Sequence, residues 1–394
     1  MTTEHDAKAF DVAVIGGGAI GLAVAYYLKT ASSACRVAVI ERDSSYSLAS
    51  TLRASGGVRR LFALTENIEL SNFSIPVYQS FPDLMAVDGE KADIGFKKNG
   101  YLFIVPQAHV ANLHRNYERQ KKLGVNVEWL EPEALKARFP SMRVDDLGAA
   151  VQSNDDGWLD PYAVLMAFRK KARALGVTLI QDEAVAINRD AKLVRSVALK
   201  SGAVVLADNV VNAAGAWAPQ ISAMVSMAVP ITPLRRFEHY FECEETVEPL
   251  PYLKDVNRLA FRPEGKGYSG GVPTLDEPRG YNFEVDHNYF EEVVWPALAH
   301  RFPQFERTKC KATLAGLYDQ NDFDGNPIIG PWEGGCENFY MAAGFSGHGL
   351  MHAPACGRAL SELILNRRFE TLDLARLGWR RVVRGEPYPE QGII

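Results

Sequence analysis

The chain has 394 residues, which is long for one domain, so two domains are expected. A hydrophobic fraction of 47% and a charged fraction of 23% are ordinary for a folded globular protein and argue against a disordered chain. The net charge of −5, with acidic and basic residues mixed along the sequence, argues against the basic stripe of a nucleic-acid-binding protein.

The five cysteines are scattered and form no CxxC pair. This predicts reduced thiols rather than disulfides or a metal site. The first ten residues, MTTEHDAKAF, lack the basic and apolar segments of a secretory signal. The long uncharged run 12–28 contains glycines that suit a nucleotide turn better than a membrane span. The sequence therefore predicts a cytoplasmic protein without a metal and without a transmembrane helix.

The segment FDVAVIGGGAIGLAVAYYLKTASSACRVAVIE predicts a nucleotide-binding βαβ unit. An apolar strand leads into the turn Gly16-x-Gly18-x-x-Gly21, a helix rich in alanine follows, and a second apolar strand ends at Glu41. Gly16 permits the tight turn, Gly18 lets the backbone approach a pyrophosphate, and Gly21 lets helix and strand pack closely. The phosphates would bind the free N–H groups of the helix start, and Glu41, about 20 residues further on, would accept a ribose hydroxyl.

Hydrophobic periodicity and turn residues predict the next elements in chain order. They are a loop rich in small residues and arginine (50–62), helices (66–81, 109–123 and 161–175) and strands (99–106, 177–182 and 204–212). Aromatic and proline-rich strands from 230 to about 316 predict an antiparallel sheet domain that covers a site. The chain then returns to strand, glycine-rich turn and helix in NFYMAAGFSGHGLMHAPACGRALSELIL.

Two later turns favour FAD over NAD. VVNAAGAWAP is an apolar strand that ends in small residues, which suits close backbone approach beside the first loop and equally a simple tight turn. AAGFSGHGLMHAP places Gly344, Gly347 and Gly349 before a helix whose N-terminal amides could face an anion. A reduced flavin carries negative charge that such a helix start stabilises. Because no second GxGxxG is present, we expect electrons to come directly from the substrate.

Together, VIGGGAIG, the Ser-Thr loop with its paired glycines, VVNAAGAWAP and AAGFSGHGLMHAPACGRALSELI resemble the D-amino-acid oxidase (DAO) superfamily of FAD enzymes. Monomeric sarcosine oxidase, the dimethylglycine and sarcosine dehydrogenases and glycine oxidase are the similar members. SGGVRRLF, ENIELS and the tail FETLDLARLGWRRVVRGEPYPEQGII most resemble the subgroup of the FAD-dependent oxidoreductase domain-containing protein 1, a mitochondrial complex I assembly factor.

The resemblance implies an α/β (α+β) fold, in which a Rossmann-like FAD-binding domain carries an inserted, mainly antiparallel β-sheet substrate domain. The FAD-binding domain is expected to be discontinuous, at 9–85, 146–228 and 317–394. The substrate-binding and catalytic domain is expected at 86–145 and 229–316, with its sheet roofing the flavin.

The resemblance also implies FAD contacts along the turns quoted above. The expected cofactor-binding residues are Gly16, Gly18, Ala19, Ile20, Gly21, Glu41, Arg42, Ser50, Thr51, Arg53, Ala54, Ser55, Gly56, Val185, Ala213, Ala214, Gly215, Trp217, Gly316, Gly344, Gly347, His348, Gly349, Leu350 and Met351. Several family dehydrogenases attach flavin through a histidine where this chain has Arg53. Monomeric sarcosine oxidase uses a cysteine at the position of Gly316, with Cys310 nearby in the sequence. We therefore expect FAD to be bound without a covalent link.

The family reaction oxidises a C–H bond beside an amine, and an amino-acid substrate needs a cation for its carboxylate. Arginine, with its planar fork, suits that task best. Arg59 and Arg60 follow the paired glycines of the loop expected at the flavin edge, so one of them is the first candidate. Arg262, in the apolar run LAFRP, is the second candidate, although an arginine in such a strand fits a solvent-facing position equally well.

Further catalytic candidates are a tyrosine and two histidines. Tyr318 matches an active-site tyrosine of sarcosine oxidase. His352, like the neighbouring His348, suits flavin positioning or packing as well as acid–base chemistry. His239 could line the pocket, but strand alternation lets only one of His239 and Tyr240 face inward.

Two lysines of sarcosine oxidase have no counterpart at the matching positions. The lysine that helps to hold the carboxylate corresponds to Met351, so the carboxylate clamp must differ here. The lysine that activates oxygen corresponds to Ser269, with Lys266 nearby, so oxidase and dehydrogenase both stay open.

The sequence thus predicts an FAD-dependent oxidase that N-dealkylates N-substituted glycines, such as sarcosine, dimethylglycine or iminodiacetate, with O2 giving H2O2. One alternative is a dehydrogenase of D-amino acids or imino acids that passes electrons to a quinone or a partner subunit. Another is a flavin-bearing assembly or binding factor. The expected partners are a small amine or amino acid and an electron acceptor, with no nucleic acid and no membrane span.

Overall fold

The computed structural model describes residues 8–256, 258–274 and 276–391. The strands are β1 (Lys8–Ile15), β2 (Val37–Glu41), β3 (Gly57–Val58), β4 (Tyr101–Val105), β5 (Val127–Leu130), β6 (Ala149–Ser153), β7 (Gly157–Trp158), β8 (Thr178–Gln181), β9 (Ala184–Arg189), β10 (Val194–Leu199), β11 (Val204–Asn212), β12 (Ile231–Cys243), β13 (Tyr252–Asp255), β14 (Ala260–Glu264), β15 (Gly267–Gly271), β16 (Thr308–Asn321), β17 (Ile328–Pro331) and β18 (Phe339–Ala343). The α-helices are α1 (Ala19–Ala31), α2 (Thr65–Gln79), α3 (Phe81–Leu84), α4 (Val110–Lys122), α5 (Pro132–Arg138), α6 (Pro161–Ala174), α7 (Ala218–Ala223), α8 (Trp295–Arg301), α9 (Gly349–Asn366) and α10 (Arg380–Arg384).

The first sheet has the strand order β17-β18-β11-β1-β2-β8, with the hairpin β9–β10 joined to β11. The strand β1 lies between β11 and β2 and is parallel to both, so that Ile15 pairs with Asn212 on one side and Ile40 on the other. The carboxyl ends of these three strands therefore meet at one edge. In open sheets of this kind, ligands bind at that edge.

Helices cover both faces of the first sheet, because its central strands are apolar on both sides. Val12 and Val14 belong to the core cluster that includes residues of α1, α6 and α9. Ala13 and Ile15 point to the opposite face and belong to a second cluster, which includes residues of α7. Because alternate residues of β1 are buried on opposite faces, the strand and the turn that follows it are held in place.

The second sheet has the strand order β16-β12-β15-β14-β13-β4-β6-β5. Its pairs are antiparallel except for β13 and β4. The long strands β12 and β16 pair from Ile231 opposite Asn321 to Cys243 opposite Thr308. Because β16 runs on to the edge of the first sheet, the mainly antiparallel sheet roofs that edge. The predicted fold class is thereby confirmed.

Most predicted elements are present with bounds that differ by a few residues, and the strand 204–212 has the predicted bounds. The predicted helix 66–81 is divided between α2 and α3. The hairpin of β9 and β10 was not predicted. The strand β6 lies in a range predicted for the FAD-binding domain, yet it pairs with β4 in the second sheet. The division into two domains stays a prediction.

Among the residues that the structure describes, no helix combines the length and the apolar character that a membrane crossing requires.

Candidate active site

A cavity of about 890 Å³ lies at the carboxyl edge of the first sheet, beneath the roof formed by β12 and β16. This volume falls at the upper end of the range of about 300–1,000 Å³ that is usual for small-molecule and cofactor sites. Many of the residues predicted to bind FAD line it. They are Gly16, Gly18, Ala19, Ile20, Glu41, Arg42, Ser50, Thr51, Arg53, Ala54, Val185, Ala213, Ala214, Gly215, Trp217, Gly316, Gly347, Gly349 and Leu350.

The first glycine turn is packed tightly where it meets its own chain and open where a ligand would lie. Gly16 has a φ of 104°, and a Cβ there would lie 2.4 Å from the carbonyl oxygen of Ala213. A Cβ at Gly21 would lie 2.0 Å from the carbonyl oxygen of Gly16. At Gly18 the nearest atom would be the hydroxyl oxygen of Thr51, 3.6 Å away. Gly18 therefore leaves an open surface at the start of α1.

Two side chains hold the wall of the cavity near this turn. The hydroxyl of Thr51 accepts a hydrogen bond from the N–H of Ala19 at 3.3 Å, at the first residue of α1. The carboxylate of Glu41 accepts from the N–H groups of Gly17 at 2.8 Å and Asp43 at 2.9 Å. These bonds fix the carboxylate at the end of β2. Because a carboxylate has about four acceptor sites, it can still accept a ribose hydroxyl.

An aromatic stack borders the cavity at Trp217. The guanidinium of Arg42 lies 3.8 Å from the centroid of the indole ring, and Tyr281 stacks on Trp217 at 5.6 Å. Since Tyr281 belongs to the segment between β15 and β16, this contact joins the roof to the edge of the first sheet.

The two positions linked with covalent flavin attachment contact each other. Arg53 donates hydrogen bonds to the carbonyl oxygens of Ser47 and Ala315, and a Cβ at Gly316 would lie 2.8 Å from the Cβ of Arg53. Cys310 does not line the cavity. Within the described ranges, no cysteine and no histidine lines it either.

The second glycine turn is held by Asp319 of β16. Its carboxylate accepts hydrogen bonds from the N–H groups of Gly344 at 2.7 Å and Phe345 at 3.1 Å. Burial raises the pKa of Asp319 to about 6, although these bonds to the backbone oppose the shift. The turn leads directly into α9. Asp319 therefore ties the roof to the start of that helix.

Tyr318, the neighbour of Asp319, lines the cavity and packs on the same turn. A Cβ at Gly347 would lie 2.5 Å from the tyrosine ring, so only glycine fits there. The guanidinium of Arg236 lies 5.4 Å from the centroid of the tyrosine ring. Burial raises the pKa of the Tyr318 hydroxyl, which therefore stays protonated near neutral pH.

Of the three arginines predicted to hold a carboxylate, two are already bound to acids. Arg60 forms a buried ion pair of 2.7 Å with Asp156. Arg262 donates to the carbonyl oxygen of Ser55 at 2.7 Å and forms an ion pair with Glu264. None of the three arginines lines the cavity. Arg60 and Arg262 instead hold the loop that carries Ser55 and Arg60 against the second sheet.

Arg59 differs, because no carboxylate of the described residues lies within ion-pair distance of it. Its guanidinium donates to the carbonyl oxygen of Leu61, lies 3.2 Å from Nε2 of His348, and lies 3.9 Å from the ring centroid of Phe62. Only 2% of Arg59 is exposed, and burial lowers the pKa of the guanidinium. Glu390 and, to a smaller extent, Asp156 contribute a longer-range attraction that opposes this shift. A buried positive charge thus lies beside the start of α9.

The segment after Arg59 is fixed by the carboxylate of Glu390. This carboxylate accepts from the N–H groups of Ala63 at 2.7 Å and Leu64 at 3.2 Å and from the side-chain amide of Asn67 at 2.6 Å. The chain near residue 390 therefore fixes the residues that precede α2 and holds the arginine loop in place.

The three candidate histidines are buried and neutral, and none of them lines the cavity. Burial and Arg59 lower the pKa of His348 well below its usual value, while burial lowers the pKa of His352 to about 3. His352 lies 3.1 Å from the hydroxyl of Ser71. His239 faces the core of the second sheet, 2.9 Å from the hydroxyl of Thr313, and burial lowers its pKa to about 4. These positions suit packing and positioning better than acid–base exchange with a substrate.

Six of the residues predicted to bind FAD do not line the cavity but lie in or next to the turns that do. They are Gly21, Ser55, Gly56, Gly344, His348 and Met351. Their part in FAD binding stays a prediction.

The roof carries ionisable groups that the sequence reasoning missed. Because His239 faces the core, alternation along β12 places Arg236 and Glu238 on the opposite face. Arg236 lines the cavity, and Glu238 accepts a hydrogen bond of 2.6 Å from the hydroxyl of Ser269. Burial raises the pKa of Glu238 to about 7. Lys254 of β13 is a third such group; neither Lys254 nor Glu238 is among the residues that line the cavity. The sequence of β12 does alternate between two faces, and this pattern was the available signal. Which face points towards the cavity could not be decided without the pairing register of the strand.

The donor set fits a flavin dinucleotide. The open surface at Gly18, the start of α1 and the carboxylate of Glu41 suit the pyrophosphate and ribose, and the start of α9 suits an electron-rich ring. The fold and the site thus define a dinucleotide-binding oxidoreductase. The sequence profile of the DAO family of FAD-dependent oxidoreductases matches residues 11–363, and the chain belongs to that family.

Two relatives and one solved structure illustrate the similarity. The chain is 34% identical to the FAD-dependent oxidoreductase domain-containing protein 1 of Xenopus laevis, over 98% of this chain and 85% of that protein. It is 27% identical to the sarcosine oxidase subunit beta of Arthrobacter sp, over 98% of this chain and 94% of that protein. The structure of L-proline dehydrogenase from P.horikoshii superimposes with a TM-score of 0.87 at 28% identity, over 97% of this chain and 100% of that one.

Proposed function

We propose that this chain is an FAD-dependent oxidoreductase of secondary amino acids, with N-substituted glycines as the preferred class. One observation carries the proposal: Arg59 is a buried cation without an acid partner among the described residues, and it lies beside the start of α9. A buried charge of this kind is unfavourable until an anion approaches. The carboxylate of an amino acid supplies that anion.

A bound FAD would supply the acceptor for a hydride from the carbon next to the amine nitrogen, and water would hydrolyse the resulting imine. The chain's own residues position the substrate. The field of Arg59 attracts the carboxylate, and the neutral imidazole of His348 adds no competing charge. The hydroxyl of Tyr318 stays protonated and can donate a hydrogen bond at the cavity wall. The free N–H groups at the start of α9 stabilise negative charge on the reduced cofactor.

Glu238 is the proposed partner of the substrate amine. It lies on the same face of β12 as Arg236, which lines the cavity, and it influences the pKa values of Tyr252 and Tyr318. With a pKa of about 7, its carboxylate can bind an ammonium group and take up one proton. An amine must lose that proton before hydride transfer, because the nitrogen lone pair drives the formation of the imine.

The test compares sarcosine with its neutral amide, sarcosinamide, as reductants of the flavin. In Arg59→Met we expect the half-saturating concentration of sarcosine to rise by roughly 10- to 100-fold, the effect of losing a charge-assisted interaction of about 1.5–3 kcal/mol. Sarcosinamide should be unaffected. Arg262→Met is the comparison, since that guanidinium is bound to Glu264. An unchanged KM for sarcosine in the Arg59, Arg60 and Arg262 variants would exclude a carboxylate clamp by these arginines.

A second candidate function is a dehydrogenase of a cyclic imino acid such as proline. Ser269, which matches the position of an oxygen-activating lysine, donates its hydroxyl hydrogen to Glu238, and Lys266 is exposed. The similarity to L-proline dehydrogenase supports the same reading. Mixing the anaerobically reduced protein with air distinguishes an oxidase from a dehydrogenase. Rapid recovery of the yellow colour with formation of H2O2 indicates an oxidase, and slow recovery that a quinone accelerates indicates a dehydrogenase.

The same experiments also test a role as an assembly or binding factor. It would be favoured if neither sarcosine, dimethylglycine, iminodiacetate nor proline reduced the flavin anaerobically while the protein retained FAD.

A further inference from the structure

We infer that Lys254 is a substrate-binding residue, whose ammonium group contacts the carboxylate that the positive charge of Arg59 attracts. The inference rests on the proposed function and names a residue that the sequence did not single out. In sarcosine oxidase a lysine at the position of Met351 helps to hold the carboxylate. In this chain Lys254 of the second sheet would supply that second cation instead.

The register of the second sheet places Lys254 next to the arginine cluster. On β13, Tyr252 pairs with Tyr101 of β4 and Lys254 pairs with Phe103, two residues further along both strands. The rings of Tyr101 and Tyr252 stack at 4.3 Å, so the even-numbered positions of β13 share the face of the odd-numbered positions of β4. The guanidinium of Arg59 lies 5.2 Å from the ring centroid of Phe103. Lys254 and Arg59 therefore flank the same ring.

The ammonium group has no polar partner in the part of the chain that the structure describes. Other buried cations do have acids: Arg301, for example, forms ion pairs with Asp255 and Asp146. Burial, Arg59 and Arg258 together lower the pKa of Lys254 well below its usual value. Two neighbouring cations, neither of which forms an ion pair with an acid of the described residues, suit an anion site, because one carboxylate would stabilise both charges.

Arg59 and Lys254 differ in exposure, and we assign them different roles. Arg59 is only 2% exposed, whereas Lys254 is half-buried. Lys254 is thus the more exposed of the two cations, and we assign the direct contact with the carboxylate to its flexible ammonium group. The rigid guanidinium behind Phe103 supplies electrostatic attraction and fixes the geometry of the start of α9 through His348.

The test uses methoxyacetate, in which an ether oxygen replaces the amine of sarcosine so that the flavin cannot be reduced. Binding to the FAD-loaded protein is followed by the change in flavin absorbance, with methoxyacetamide as the uncharged comparison. We expect Lys254→Met to weaken methoxyacetate binding by at least about tenfold, and Lys254→Arg to restore most of it. Binding of methoxyacetamide should be equal in all variants. Lys309→Met, an exposed lysine of the same sheet, should behave like the natural protein.

The steady-state rates provide a second readout. In Lys254→Met the KM for sarcosine should rise at least about tenfold while kcat stays within about threefold, because a binding contact is lost without damage to the flavin. FAD content and unfolding temperature confirm that the variant is folded. If the variant is poorly folded, Lys254→Gln replaces it.

The results distinguish failure of the role of Lys254 from failure of the proposed function. Equal methoxyacetate affinity in the natural protein, Lys254→Met and Lys254→Gln would overturn the role of Lys254 and leave the proposed function standing. If the natural protein bound no methoxyacetate and no secondary amino acid reduced its flavin, the proposed function would fail, and the inference with it.

Discussion

Arg59 donates a hydrogen bond to His348, with 3.2 Å between Nη2 of the guanidinium and Nε2 of the imidazole. Arginine has no acceptor atom, so the imidazole must accept with Nε2 and carry its proton on Nδ1. This assignment agrees with the lowered pKa of His348. The start of α9 is thus flanked by one fixed positive charge and a neutral histidine. The positive charge favours an anion at the start of α9, and the neutral histidine is poorly suited to act as a general acid.

The two adjacent arginines should give opposite results when each is replaced by methionine. Arg59 is buried without an acid, so Arg59→Met should leave the free energy of unfolding unchanged or higher while it weakens sarcosine binding. Arg60→Met leaves the buried Asp156 without its partner and should lower the free energy of unfolding by about 3–5 kcal/mol. Urea denaturation of the FAD-loaded proteins measures both. Equal destabilisation of the two variants would contradict the distinction between a paired and an unpaired arginine.

Two glycines of the first turn should separate FAD binding from folding. In Gly18→Ala the new methyl group has space, because its nearest protein atom lies 3.6 Å away, but it occupies the surface assigned to the pyrophosphate. We expect FAD affinity to fall by roughly tenfold or more, about 1.4 kcal/mol, with normal stability of the apoprotein. Gly21→Ala places a methyl group 2.0 Å from the oxygen of Gly16 and should destabilise the apoprotein itself. Fluorescence titration with FAD and urea denaturation give the two readouts, and normal FAD affinity in Gly18→Ala would refute the assigned phosphate site.

FAD should be released when the protein is denatured with acid. No histidine or cysteine of the described residues lines the cavity, and Arg53 packs on Gly316 where the resemblance allows a covalent link. We expect a colourless precipitate and all of the flavin in the supernatant. A yellow precipitate that keeps its colour after washing would show a covalent bond.

Binding of methoxyacetate should weaken as the pH rises through about 7. The pKa of Glu238 is raised to about 7, so this group is neutral below that pH and negative above it. A negative Glu238 repels the carboxylate of the ligand, and we expect affinity to fall by roughly 3- to 10-fold between pH 6 and 8, about 1 kcal/mol. The charges that face Glu238 are Arg262 and Glu264. Glu238→Gln should remove the inflection near pH 7; an unaltered pH profile in that variant would assign the effect to another group.

Local patterns predicted the first βαβ unit and the second glycine turn, because each is a continuous segment whose glycines have local geometric causes. The ionisable groups of the roof depend on contacts between distant segments. Lys254 lies beside Phe103 because β13 pairs with β4, and Arg60 forms an ion pair because Asp156 follows β6. Alternation alone could not decide which of His239 and Tyr240 faces inward, since the orientation of β12 is set by its pairing with β16.

The central claim is that a secondary amino acid reduces the bound flavin directly. Anaerobic addition of sarcosine, N-carboxymethyl amino acids and proline to the purified yellow protein, followed at the flavin absorbance band, tests it most directly. The account predicts stoichiometric bleaching by at least one of these amino acids and none by the matching amides at equal concentration. A flavin that stays fully oxidised with every amino acid, although dithionite bleaches it, would contradict the account.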